Sequence, residues 1–445
     1  MSFPESIVPL KSFLVPFIVF LPSFFLVGQN VGWSILPPSP EPVSNNAVTQ
    51  AYVNGNPYVY SFAGIDQSKD WFGIHLRSFR YNVNEQSWDT IPPLPDPNGG
   101  KIAAAASTVK NKIYIIGGYH VASNYSETSS SKVHIYDPET NTYLSDGQDI
   151  PVAIDDQVQA VWRDSLIYVI TGWSNSNNVT NVQIYNPSTD TWLEGTPVPN
   201  SSQWKVFGAS GYILNDTIYY VGGARFGFNF PPSNSIRKGY INPESPTEIT
   251  WTTETSPTAT GYRMAAARYS DQLIWLGGSN VTYNFDGIAY NGSGGVTPLG
   301  RVKLYEPATA TFTEFADLFP PIMDLRGVAE LPDNQYILVG GMTEGQMVTD
   351  QTLLITIDAL SANDNPSNSD FQVFISPNPA DQFFTVQGKG VTDIKISDFL
   401  GRVLLYQPIT SGEVIPSIQL KSGLYGISLL HKGQLLSTQP LLIQH

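Results

Sequence analysis

The sequence predicts an all-β fold in which six similar four-stranded units form a ring closed by the N-terminal strand, followed by a smaller all-β domain. Three observations predict it. Apolar runs end on a small residue and a glycine at Ala63-Gly64, Gly117-Gly118, Thr171-Gly172, Gly222-Gly223, Gly277-Gly278 and Gly340-Gly341, at intervals of 54, 54, 51, 55 and 63 residues, and a period near fifty marks a circular or stacked repeat. After each pair an aromatic residue, a turn and a second aromatic residue recur seven positions apart, as in Tyr81/Trp88, Tyr136/Tyr143, Tyr185/Trp192 and Tyr305/Phe312. Finally, "WSILPPSPEP" (33–42) matches "WDTIPPLPDP" (88–97) at the tryptophan and four prolines.

Composition agrees with many short strands joined by turns. There are 37 Gly, 34 Pro and 23 Tyr, and only 14% of residues are charged. A net charge of −15 argues against a nucleic-acid surface, which needs an excess of Lys and Arg. Cysteine is absent, so the sequence offers no disulfide, thiolate metal site or cysteine nucleophile.

In chain order, residues 1–29 read as a signal peptide: Lys11 precedes the apolar run "FLVPFIVFLPSFFLV" (13–27), which contains Pro16 and Pro22, and the small Gly28 places cleavage near Gln29. The expected mature chain therefore has no membrane span. Residues 30–360 hold the repeats. Each has an inner strand such as "IAAAAST", a strand ending on the glycine pair, a third strand before the turn and an outer strand beginning at the second aromatic residue. The glycines are expected where a sharp strand exit needs positive φ and a neighbour approaches closely. In "YNPSTDTW" the Pro, Asn and Asp residues favour a tight reversal that sets the two aromatic residues on adjacent strands. The fourth unit stretches this spacing to Tyr240 and Trp251.

The sixth unit lacks an outer strand after "TLLITID", and the segment starting at Trp33 is expected to supply it and close the ring. If the Trp33 ring is buried, Trp33→Ala should cost roughly 3 kcal/mol. These diglycines and spaced Tyr and Trp residues resemble the kelch repeat over about residues 32–360, which implies a six-bladed β-propeller.

"LSANDNPSNSD" (360–370) is polar and aperiodic, so 361–370 is expected to be a linker to a domain at 371–445. "SPNPADQFFTV", "IKISDFLGRVLL" and "LKSGLYGISLL" resemble, in order, the motifs of the C-terminal type A sorting domain of the type IX secretion system. The matching residues are Pro377, Asn378, Pro379, Asp398, Gly401, Arg402, Gly423 and Tyr425. The ending "LLIQH" lacks the lysines common near the end of such tails. The resemblance implies a small β-sandwich, Bacteroidota-type export with the secretion machinery as partner, and a secreted or cell-surface location reached through the periplasm.

No cofactor is expected. Copper radical oxidases similar to galactose oxidase need a Cys crosslinked to Tyr and two His ligands, whereas this chain has no Cys and its five histidines show no ligand spacing. No phosphate loop, zinc motif or nucleophile elbow is present. What remains is a face. In a four-stranded meander the start of the first strand and the loop between the second and third strands share one end, which would gather Asn46, Lys101, Asp155, Asp156, Lys205, Arg263 and Arg326 around the channel. The loops would add Trp71, Phe72, Tyr119, Tyr125, Trp173, Phe226, Phe228, Phe230, Tyr283, Phe285 and Tyr290.

Aromatic walls with a few placed polar groups suit a ligand, sugar rings among them. Two readings stay open. One is a non-enzymatic surface module recognising a glycan or protein. The other is a carbohydrate-active enzyme similar to kelch sialic-acid mutarotases in blade count and ring closure, with Asp155 or Asp156 as acid-base groups and Arg263 and Arg326 as a carboxylate clamp. On either reading, replacing both arginines should abolish binding of an acidic ligand and spare stability. Fold analogy does not choose between the two.

Overall fold

The computed structural model describes residues 30–358, 374–387, 391–398, 402–410, 412–431 and 434–444. The expected leader (1–29), the linker (361–370) and Gly401 lie outside the described residues. The ring has six blades built on four antiparallel strands each, blade 1 being joined in parallel by Arg326–Gly327 and blade 2 extended by the short strand Glu127–Ser129. Their inner strands are Ala47–Val53, Ile102–Val109, Val158–Trp162, Ser210–Leu214, Ala265–Tyr269 and Ala329–Leu331, for blades 1 to 6 in that order. The N-terminal strand Asn30–Leu36 pairs with Thr352–Asp358 as the outer strand of blade 6, with Trp33 opposite Ile355. Chain start and repeat end therefore share one sheet. Trp33, however, is 45% exposed, so the condition of a buried ring is not met.

The paired aromatics lie directly opposite one another in register as Tyr81↔Trp88, Tyr136↔Tyr143, Tyr185↔Trp192 and Tyr305↔Phe312. Three outer-strand tryptophans also tie neighbouring blades together. The indole N–H groups of Trp88, Trp192 and Trp251 donate to the carbonyls of Pro37, Gln148 and Thr196, each in the segment leaving the preceding blade. Blade 4 departs from the expected pairing. Trp251 stands opposite Gly239 rather than Tyr240, a register shift follows Ile241, and the indole lies where a Cβ on Gly239 would be, 2.4 Å from its ring.

The glycine pairs join one blade to the next. The second glycine of each pair donates its N–H to the segment entering the following blade: Gly64 to Lys101, Gly118 to Ile154, Gly172 to Val206, Gly223 to Gly261, Gly278 to Ile322 and Gly341 to Val43. The sixth bond returns to the first blade and closes the circle. At Gly117 and Gly118 φ is 69° and 86°, and an added Cβ would lie 2.4 Å from the Ile154 carbonyl oxygen and 2.7 Å from that of Ile102. Thr171 occupies the equivalent first position with φ 45°, where its hydroxyl donates to the Val179 carbonyl at 2.8 Å and accepts the Val206 N–H at 3.2 Å.

In the C-terminal region a three-stranded sheet (Phe374–Ser376, Phe383–Gln387, Val414–Pro416) and a four-stranded sheet (Val403–Pro408, Asp393–Ser397, Gly423–His431, Gln434–Ile443) share one apolar core. This is the expected small sandwich. Within it the Asn378 side chain donates to the Pro440 carbonyl at 2.8 Å and accepts the Leu442 N–H at 2.9 Å. Arg402 is held by Asp398 through its backbone N–H and its Nε at 2.9 and 2.7 Å. The Tyr425 hydroxyl donates to the Lys421 carbonyl at 2.7 Å, and Gly423 opens the strand that carries Tyr425. Pro377, Asn378 and Pro379 are exposed. Among the described residues no helix is long and apolar enough to cross a membrane.

Candidate functional site

A second circle of backbone hydrogen bonds runs around the axis, just inside the loop face. Ala103 N–H donates to Asn45 O, Asp156 to Ala103, Gly208 to Asp156, Arg263 to Gly208, Leu325 to Arg263, and Asn45 back to Asp324. Asn45, Ala103, Asp156, Gly208, Arg263 and Asp324 therefore hold equivalent places, all with φ between 45° and 66°. This register explains why the expected charged mouth does not form as drawn. Counted from it, Lys205 lies three residues before the ring position, Lys101 two before and Asp155 one before, while Asn46 follows by one and Arg326 by two. The expected residues thus stand at different offsets from the ring, and of them only Asp156 and Arg263 hold the ring position itself.

Lys101 is fully buried on an ion pair with Asp96 at 2.5 Å, beside His134 at 3.3 Å, and points into the blade packing rather than the mouth. Asn46 donates to Ser61 and to the Val339 carbonyl at 2.8 and 3.3 Å, joining blades 1 and 6. Lys205 is half-buried in the segment entering blade 4, where its carbonyl accepts from Asn178 at 3.2 Å. Asp155 is buried and accepts the Ser129 hydroxyl at 2.5 Å. Burial first, and then the charge of Asp156, push its carboxyl well above the usual carboxylate range.

Three of the expected residues do meet. Arg263 donates through Nε and Nη2 to Asp156 at 3.1 and 2.7 Å and through Nη1 to Asp324 at 2.7 Å, with all three groups buried. Arg326 reaches across from blade 6 to Asp156 at 3.4 Å and donates to the Gln157 carbonyl at 3.0 Å. Burial alone would lower the Arg263 pKa, but Asp156, Tyr262 and Asp324 outweigh it and the pKa is raised. The rings of Tyr262 and Tyr283 lie 5.2 and 5.5 Å from the guanidinium carbon. The arginines thus belong to a closed, buried ion cluster, and the expected pair of free clamp groups is corrected on that ground.

Above the cluster the mouth is filled. The segment between Gly278 and Gly300 of blade 5 buries Tyr283 and Phe285. Phe285 packs with Ile65 and Ile74 of blade 1 and Ile102, Tyr119 and Val121 of blade 2, on the far side of the axis. Thr282 donates to the Phe230 carbonyl at 2.7 Å, and Gln346 of the blade 6 loop donates to the Val296 carbonyl at 3.0 Å. Trp173, Phe207 and Phe230 form a second knot, with ring centroids 5.4 to 5.6 Å apart, and Tyr290 lies 4.9 Å from Phe230. These aromatic residues seal the axis, and outside the seal Phe285 borders a cleft of about 240 Å³ together with Asp70, Tyr125, Glu127 and Asn284.

A rim remains outside the seal. Phe72, Tyr125 and Phe226 are exposed, Phe228 is 92% exposed at a loop tip, and Trp71 is 37% exposed. Phe226 stacks on Trp173 at 6.3 Å, and the Tyr125 hydroxyl donates to Asp70 at 3.0 Å. Asp324 was missed from the sequence, although aligning "MDLR" position for position with "YRMA" and "DDQV" sets it opposite Arg263 and Asp156. The blade 5 cover also left a signal, since the 63-residue interval is the longest of the five.

Residues 23–223 match the KLHDC2/KLHL20/DRC7 kelch-repeats domain, and residues 374–444 match the secretion system C-terminal sorting domain. Kelch-like protein 23 of Homo sapiens is 32% identical over 117 residues, 26% of this chain and 19% of that protein. Kelch-like protein terF of Aspergillus terreus is 23% identical over 256 residues, 55% of this chain and 50% of that protein. Kelch-like protein 35 of Mus musculus is 20% identical over 272 residues, 60% of this chain and 39% of that protein. The chain spans half or less of the length of these curated relatives. Among solved structures, that of YjhT superposes with a TM-score of 0.57 at 15% identity, covering 73% of this chain and 99% of that one. That likeness concerns the fold alone.

Proposed function

We propose that this chain, which carries a kelch-repeat domain and a secretion-system sorting domain, is a non-catalytic recognition module exported through the type IX system and displayed or released at the cell surface. Its ligand, a protein or a glycan, rests on the exposed aromatic rim formed by Phe72, Tyr125, Phe226 and Phe228. The observation that carries this reading is the sealed mouth. With Arg263 and Asp156 committed to each other and the blade 5 segment packed over them, the loop face offers a broad surface, and the aromatic side chains left in solvent are the type that anchors interfaces. The enzymatic alternative loses its groups for the same reason, because the acid-base and clamp candidates have no open route from that face.

A glycan array and a capture experiment on envelope proteins of the native host test the proposal. A ligand found by either should lose roughly tenfold or more in affinity for Phe228→Ala combined with Phe226→Ala, with the melting temperature unchanged. A ligand that binds the double variant as tightly as the parent, or anomerisation of a sugar detected by NMR, would sink it.

A further inference from the structure

The rim has a charged part as well as an apolar one. Loops of blades 1, 2 and 5 meet around the cleft of about 240 Å³, and each contributes one carboxylate to its lining, Asp70, Glu127 and Asp286, beside Lys69, Tyr125 and Phe285. Asp70 accepts the Trp71 N–H at 2.7 Å and the Tyr125 hydroxyl at 3.0 Å through the same oxygen, and Asp286 accepts the Ile288 N–H at 3.0 Å through one of its two. Among the described residues neither these carboxylates nor Lys69 enters an ion pair, and the Glu127 side chain accepts no hydrogen bond. The volume sets the size of the occupant. It is below the roughly 300 to 1,000 Å³ of sites that enclose a small molecule, and it suits one side chain of a larger partner. Around it the apolar rim is broad, since Ile288 and Met347 are exposed on the loops of blades 5 and 6 in addition to Phe72, Phe226 and Phe228.

We infer that the rim docks a protein that presents a lysine or arginine side chain, and that this cation seats in the cleft among Asp70, Glu127 and Asp286 while the body of the partner covers the exposed aromatic residues. The inference rests on the rim being the binding surface, and it adds the class of partner. Charge complementarity carries it. The cleft sets three carboxylates against one ammonium, on a chain whose net charge is −15. An acidic glycan would be repelled there, and a neutral one would leave the carboxylates without a counter-charge. Desolvation, opposed by Arg263 and reinforced by Asp156, raises the Glu127 carboxyl pKa, and a cation beside it lowers that pKa again, so cation binding and ionisation of Glu127 support each other. Tyr125 and Phe285 supply aromatic walls, which attract a cationic head and cover its methylene stem. An organic cation fits better than a metal, because among the described residues no three His, Asp or Glu groups stand close enough to hold one ion.

Saturation-transfer NMR on the full chain tests it, with N-acetylarginine amide and N-acetyllysine amide as cationic probes and N-acetylcitrulline amide as the neutral isostere of the first. The expected result is transfer to both cations at millimolar concentration and far less to citrulline, weakened roughly fivefold or more in Glu127→Gln combined with Asp286→Asn and reduced by added salt. Lys69→Gln removes the competing ammonium and should strengthen binding of both cations, a gain that a damaged fold would not give. No transfer to either cation, citrulline bound as tightly as arginine, or transfer indifferent to the carboxylate double variant would overturn the inference. The two readings fail separately. A ligand from the glycan array or the capture experiment that weakens in Phe226→Ala combined with Phe228→Ala, yet ignores the carboxylate variants, overturns the basic partner and leaves the rim standing. A ligand indifferent to both pairs of substitutions overturns the rim and this inference with it.

Discussion

Arg263 shows how one side chain can look like a binding group in sequence and serve as a structural one in space. Its guanidinium holds two buried carboxylates from different blades, Asp156 and Asp324. Removing one member of a buried ion cluster leaves the others charged and unpaired, so Arg263→Ala should destabilise the propeller by roughly 3 to 5 kcal/mol, measured by denaturant unfolding. A loss under about 1 kcal/mol, of the order seen for exposed pairs, would show the cluster to be solvated. His75 makes a different prediction. Neither ring nitrogen has a hydrogen-bond partner, and burial, followed by the Arg77 charge, pushes its pKa down to about 4, with Asp66 opposing. The folded state thus binds this proton less well than the unfolded chain, whose histidine titrates near 6.5. Its contribution is fully present above about pH 6.5 and is lost as pH falls toward about 4, on the order of 2 to 3 kcal/mol in all. Glu330 opposes it: burial pushes that carboxyl up to about 7, so its contribution is lost as pH rises from about 4.5 to about 7. Comparing the parent with His75→Phe removes the common background. The variant should lose less stability than the parent between pH 6.5 and 4.5 in thermal melts, and parallel curves would refute the assignment.

Among the elements, the N-terminal strand carries the heaviest consequence for its length. All seven of its residues pair with the last repeat strand, from Asn30↔Asp358 to Leu36↔Thr352, and Val31 packs on the core shared by blades 5 and 6. Deleting residues 30–36 exposes an unpaired strand edge and breaks the closure of the ring. A clear fall in melting temperature together with concentration-dependent association is expected, read by calorimetry and light scattering. Trp33→Ala alone should cost only about 1 kcal/mol, less than a fully buried aromatic residue would, because nearly half of that ring is in solvent. The strand therefore acts through its backbone more than through its most conspicuous side chain. The diglycine exits act in the same way: their repeated N–H donations hold blade to blade, and the side chain is absent because the neighbouring carbonyl occupies its place.

For the whole molecule, the two folded parts have separate cores. The sandwich core draws on residues 375–443, while the propeller cores lie within residues 31–357. Removing residues 371–445 should therefore leave cooperative unfolding of the propeller intact and, on the proposed export role, stop export, so that the protein collects in the periplasm of its native host, as fractionation would show. Surface display of the truncated chain would contradict the sorting role.

The sequence by itself determined the number of blades, the strand order within them, the closing strand and the nature of the tail. Each of these is written in local periodicity, in turn residues at fixed offsets or in motifs that need no partner to be recognised. Only the tertiary structure decided what the charged and aromatic residues do. Arg263 and Asp156 are 107 positions apart in the chain, and whether such residues stay free or neutralise each other depends on a register set by the ring of backbone hydrogen bonds. Asp155, next to Asp156 in the chain, accepts from Ser129 instead of from the arginines, and Lys101 is buried on Asp96. The blade 5 segment then crossed the axis to put Phe285 among residues of blades 1 and 2. Side-chain direction and long-range packing are properties of the closed ring.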